Sequence, residues 1–106
     1  MKARWLSVPA AALLMLGSSQ AFADLDLAKK SGCLACHSIE KKVVGPAWKD
    51  VATKYSAADR DALIAKVKKG GKGAWNDVTG GVPMPPYSPR VADADIDTLV
   101  DFILAL

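Results

Sequence analysis

The chain predicts an all-α domain of about four short helices interrupted by one long loop. Three observations carry that expectation. No segment beyond residue 23 alternates apolar and polar residues as a half-buried strand does. Near the C-terminus, Ile96, Leu99, Val100, Ile103 and Leu104 recur at i, i+3, i+4, i+7 and i+8, the stripe of an amphipathic helix. Residues 70–89 hold five of the eight glycines and four of the six prolines, which bars a regular helix or a central strand there.

Residues 1–23 read as a cleaved export signal. Lys2 and Arg4 precede an apolar run from about Leu6 to Leu16, and Ala21-Phe22-Ala23 has the form of a signal-peptidase site. The run is shorter than the roughly 20 apolar residues of a bilayer-spanning helix, so a permanent anchor is not expected. Cleavage after Ala23 leaves a single exported domain, residues 24–106. The two signal cations account for most of the net charge of +3. What remains, about +1, gives no electrostatic case for nucleic acid. A domain this small buries a modest core and gains from a cofactor or a staple.

The helices follow in order. Asp24 or Asp26 caps a first helix through Leu25, Leu27 and Ala28 toward the cysteines, with acidic residues at its positive end. A lysine-bearing link leads to Pro46, which suits the first position of a second helix ending near Tyr55. Ser56-Ala57-Ala58-Asp59 resembles a capping box and opens a third helix through Leu63, Ile64 and Val67, stopped by Gly70. The loop over 70–89 is long for so small a domain, and loops of that length are usually functional. The final helix carries Asp97 and Asp101 opposite its apolar stripe.

Cys33-Leu34-Ala35-Cys36-His37 is the segment that carries chemistry. Two thiols about one turn apart can each bond a former vinyl group of a porphyrin, and the adjacent imidazole then reaches the iron from the same side. The same pair also suits a thioredoxin-like dithiol, half a zinc site or a plain disulfide. A disulfide across so short a loop contributes little stability. His37 is the only histidine, so bis-histidine ligation has no source. The other axial position of a haem iron must come from elsewhere in the chain, from a small molecule, or stay open. Met1 and Met15 belong to the signal, which leaves Met84 as the methionine of the mature chain. It sits in Val82-Pro83-Met84-Pro85-Pro86, where prolines stiffen the backbone around the thioether.

Cys33–His37, then Val44-Gly45-Pro46-Ala47, then Pro83-Met84-Pro85-Pro86, in this order within some 80 residues, resembles the small bacterial class I cytochromes c, over essentially the whole mature chain. That resemblance implies a cytochrome c fold around one covalent haem c, thioether bonds to Cys33 and Cys36, and axial ligation by His37 and Met84. It further implies that the Pro46 carbonyl accepts the other ring nitrogen of His37. Trp75 is similar to the family tryptophan that bonds a haem propionate, Trp48 to a core residue, and Phe102 to the aromatic packing the last helix on the first. Ala92 stands where the family has Ser or Thr opening the last helix, so Asp93 is the expected cap.

The function so implied is periplasmic electron transfer by a monomer that is no enzyme. Its redox partners would be a donor such as a bc1-type complex or another cytochrome and an acceptor such as a terminal oxidase, a nitrite reductase or a peroxidase. Lys29, Lys30, Lys41, Lys42 and Lys49 flank the cysteine segment and could steer an acidic partner. Two alternatives stay open at this point: a five-coordinate haem enzyme or gas sensor in which Met84 does not bind, and a haem-free thiol–disulfide protein.

Overall fold

The computed structural model describes residues 10–106, with side chains from Ser19 onward. It is helical, and no strand occurs among the described residues. Five α-helices run in order: α1 (Ala10–Lys30), α2 (Trp48–Lys54), α3 (Arg60–Lys69), α4 (Asn76–Thr79) and α5 (Asp93–Leu104). Single 3-10 turns cover Cys33–Ala35 and Ala57–Asp59. The start of the expected signal, with Lys2 and Arg4, lies outside the described residues.

Helix α1 begins at Ala10, so Asp24 and Asp26 lie inside it and cap nothing. The stretch holds no proline and one glycine, and helix propensity runs straight through Ala23. Asp24 instead accepts a hydrogen bond from Gln20 Nε2, 3.0 Å away on the preceding turn. The cysteines were expected in this helix's C-terminal part. They lie beyond it, because Gly32 at φ +90° turns the chain before Cys33.

Pro46 is not the first residue of α2. Asp50 and Val51 both donate to the Ala47 carbonyl, at 3.0 and 3.1 Å, so the helical bonds begin one residue later, with Ala47 as N-cap. The capping box is present: Ala58 N donates to Ser56 Oγ at 3.3 Å and Ser56 N to Asp59 Oδ2 at 3.0 Å. It opens the 3-10 turn that feeds α3. Gly70 ends α3, its N–H donating to Lys66 O at 2.7 Å. Asp93 does not cap α5. Ala92 holds the cap position without a side-chain bond, while Asp93 lies in the first turn, near the positive end of the helix dipole, 3.6 Å from Lys68 Nζ.

Helix α5 organises the core. Ile96 and Val100 pack with Ile64, Tyr87 and Val91 on one side. Leu99 packs with Ala28, Cys33 and Trp48 on the other, with Phe102 against that cluster. The predicted stripe therefore serves both layers, since positions three and four apart cover neighbouring strips of one helical surface. Ile96 is fully buried, and truncating it to alanine would cost about 2–5 kcal/mol. No described helix is long and apolar enough to cross a membrane.

The loop over 70–89 holds more structure than its composition indicated. Asn76–Thr79 form one turn, α4, closed by Gly80 at φ +67°. Gly71 and Met84 exchange both backbone bonds, at 2.7 and 3.1 Å, so the two ends of the intervening excursion are tied together.

Candidate cofactor site

A cavity of about 340 Å³ lies between the cysteine segment, α3, α5 and the long loop. It falls in the range of cofactor sites, about 300–1,000 Å³. Every site residue expected from the sequence borders it: Cys33, Cys36, His37, Pro46, Trp75 and Met84. Leu63, Val67, Leu99, Val100 and Ile103 supply apolar walls.

One wall is built around His37. The Cys33–Ala35 turn is closed by Cys36 N and His37 N, which both donate to Cys33 O at 3.2 and 3.0 Å. That fold-back sets both cysteines and the imidazole along a single bend. His37 Nδ1 donates to Pro46 O at 2.8 Å, a tautomer that leaves the Nε2 lone pair free for a metal. Burial pushes the His37 pKa down against the smaller opposing effect of the Pro46 contact. The ring is thus held neutral, as a ligand must be. Trp48 stacks on it with centroids 5.6 Å apart and 24° between planes, and Phe102 meets Trp48 edge-on at 6.1 Å.

Gly45 was missed as a site residue. A Cβ there would stand 2.6 Å from His37 Cε1, so only glycine lets the chain pass beside the imidazole. Its place directly before Pro46 was the available signal. Trp48, read as core packing, is in addition the lid on the ring.

The facing wall carries Met84, half-buried. Besides the paired bonds to Gly71, it depends on Gly70, where a Cβ would lie 2.7 Å from Pro85 C at a φ of +68°. Trp75 is met edge-on by Tyr55, centroids 6.4 Å apart, while Lys54 Nζ stands 5.6 Å from the Trp75 ring. The indole is thereby seated just ahead of α4.

The two thiols are free, Cys33 buried and Cys36 half-buried. Desolvation pushes the Cys33 thiol pKa up, with Arg90 opposing by its charge. A dithiol oxidoreductase needs the reverse, a thiolate stabilised near neutrality. No three His, Cys, Asp or Glu side chains among the described residues gather to hold a metal ion, which leaves the half-zinc reading without partners. An apolar slot with two thiols, a neutral imidazole and a thioether on its border fits a covalently attached haem.

Comparison with known proteins agrees. The Cytochrome c family model matches residues 25–106. Cytochrome c-552 of Nitrosomonas europaea is 51% identical over 109 residues, covering 100% of this chain and 99% of that protein. Cytochrome c-551 of Allochromatium vinosum is 54% identical over 94 residues, covering 87% of this chain and 95% of that one. The crystal structure of wild-type Nitrosomonas europaea cytochrome c552 superposes with a TM-score of 0.68 at 49% identity, covering 77% of this chain and 98% of that one.

Proposed function

The chain belongs to the cytochrome c family and transfers electrons through a covalently bound haem c, and on that premise we propose which of its residues carry the work. Cys33 and Cys36 would hold the haem through thioether bonds, His37 Nε2 and Met84 Sδ would ligate its iron, and Pro46 and Trp75 would support them. The observation that carries this reading is that all six border one apolar cavity while His37 Nδ1 is occupied by Pro46 O.

Haem supplies an iron that gains or loses one electron when bound. The residues decide how it is used. The Pro46 carbonyl orients the imidazole and raises its basicity. A methionine thioether as the second protein ligand would raise the reduction potential and keep substrates off the metal, which suits an electron carrier rather than an enzyme. Apolar walls from α3 and α5 exclude water from the ring.

Residues 1–23 act as the export signal, and the mature protein begins at Asp24 in the periplasm. The family match starting at residue 25 supports that boundary. Lys49 is engaged with Glu40 at 2.9 Å and Lys30 approaches Asp26 at 3.9 Å. Among the described residues Lys29, Lys41 and Lys42 have no such ion pair and are the better candidates to steer an acidic redox partner.

The optical spectrum of protein matured in cells competent for haem attachment tests the ligand assignment. Oxidised wild type should show the weak sulfur-to-iron band in the deep red, and Met84→Ala should abolish it and open the iron to cyanide. A wild-type protein that is high-spin and binds CO readily would favour the five-coordinate alternative.

A further inference from the structure

Arg90 lies six residues beyond Met84, yet it reaches across to the segment that precedes the cysteines. Its Nη1 donates to Ser31 O at 3.4 Å, and its guanidinium lies 4.9 Å from the centroid of the Tyr87 ring. Both partners are nearly fully buried, Ser31 at 7% and Tyr87 at 6% exposure. Gly32 fits against the pair: a Cβ there would stand 3.9 Å from Tyr87 Cε2 and 4.0 Å from both Arg90 terminal nitrogens. Tyr87 also borders the cavity, and its backbone is fixed on α3 by an N–H donated to Val67 O at 3.1 Å. Among the described residues, Arg90 to Ser31 is the only hydrogen bond joining residues 31–48 to residues 70–90.

We propose that Arg90, set over the Tyr87 ring, is a positioning residue that braces the haem attachment segment against the methionine loop and so keeps Met84 on the iron. The proposal rests on Met84 being an axial ligand, as argued above. Apart from the cofactor, the two walls meet mainly through packing, which resists compression better than separation. A cation set over Tyr87 of the methionine loop and bonded to Ser31, which leads into the cysteine segment, resists separation directly. The guanidinium is exposed on its outer side, so the brace is worth a modest stabilisation, about a fivefold bias against the ligand-off state.

The test uses the mature holoprotein and cyanide, which binds only when Met84 is off. Apparent affinity then scales with the open fraction, because the observed dissociation constant is the intrinsic one divided by that fraction. Arg90→Gln should bind cyanide about fivefold more tightly than wild type, with haem attachment unchanged. Arg90→Lys keeps the charge but loses the planar guanidinium that spans Tyr87 and Ser31, and should resemble Arg90→Gln. In a Tyr87→Leu background, adding Arg90→Gln should change the affinity by less than about twofold. Arg60→Gln removes a fork to Asp101, at 2.6 and 3.2 Å, that does not border the cavity, and should leave cyanide affinity unchanged. The brace is refuted if Arg90→Gln binds like wild type, if Arg60→Gln matches it, or if Arg90→Lys restores wild-type affinity. Wild-type protein without the deep-red band would instead remove the Met84 assignment, before any variant is compared.

Discussion

Residues 33–48 close on themselves, whereas residues 70–89 are tied at their ends and open in the middle. In the first region Val44 N and Gly45 N both donate to Cys36 O, at 3.2 and 2.8 Å, and Trp48 N donates to Ser38 O at 2.9 Å. Every turn is bonded back to the segment it surrounds, and Trp48 and Phe102 cover it from the core. In the second region the Gly71 and Met84 pairing closes the base, but Val82, Pro83 and Pro85 are exposed and border the cavity. Local opening follows local contact density, so the methionine wall should release before the histidine wall does. On the proposed assignment, one side would keep the cofactor and the other would hold the more easily released ligand.

The largest expected effect comes from removing the covalent tie. Cys33→Ala with Cys36→Ala should leave the bare polypeptide mass from Asp24 in denaturing mass spectrometry and a chain largely unfolded by circular dichroism, since so small a core lacks its organiser. A well-folded, haem-free double variant would show that the helices stand without the cofactor.

Two glycine substitutions sharpen the contrast between the walls. Gly45→Ala drives a methyl into the His37 ring, and such overpacking costs about 1–3 kcal/mol, read as a lower urea midpoint for helix and haem signals together. Gly70→Ala strains a positive-φ position packed on the Met84–Pro86 backbone. The deep-red band should then disappear at a lower urea concentration than helicity does. Coincident loss in both variants would mean the walls unfold as one unit.

A smaller effect is expected at the prolines flanking the ligand. Pro83→Ala with Pro85→Ala frees the ligand-off loop by about 0.4–1 kcal/mol per site, which should lower the pH at which the red band disappears. The paired bonds to Gly71 persist in that variant and limit the drop. An unchanged midpoint would assign the ligand's retention to those bonds and to packing around the haem.

The smallest effect lies away from the cavity. The Arg60 guanidinium holds the Asp101 carboxyl below its ordinary value of 3.8, chiefly by hydrogen bonding. A lowered folded pKa means the contribution is complete above pH 3.8 and is lost as acid carries the carboxyl through its folded value. The pair is exposed and screened, so Asp101→Asn should shift the neutral-pH urea midpoint only slightly, and the difference from wild type should vanish below that range. A difference that persists in strong acid would assign the effect to packing.

The candidate site residues were legible from residue types alone. Two thiols, one imidazole and one thioether framed by prolines are scarce enough in this chain that elimination finds them, and all of them border one cavity. The apolar stripe of α5 was equally readable, because a helix repeats on a scale the sequence displays directly. End positions were not. Pro46 looked like a helix start, yet the first helical carbonyl is that of Ala47, one residue later. Asp24 and Asp93 have capping side chains and cap nothing: α1 starts fourteen residues before Asp24, and Ala92 takes the cap position ahead of Asp93.

What the sequence determined by itself is the set of candidate donor residues, all of which border one cavity, and the periodic face that packs behind them, both local properties. What the tertiary structure decided is everything that depends on two distant segments meeting: Gly45 passing beside His37, Gly70 under the Met84 backbone, and Arg90 reaching Ser31. The physical reason is that a close approach is a property of a pair. Neither a glycine that makes room nor an arginine that spans a gap carries in its own neighbourhood any trace of what it will meet.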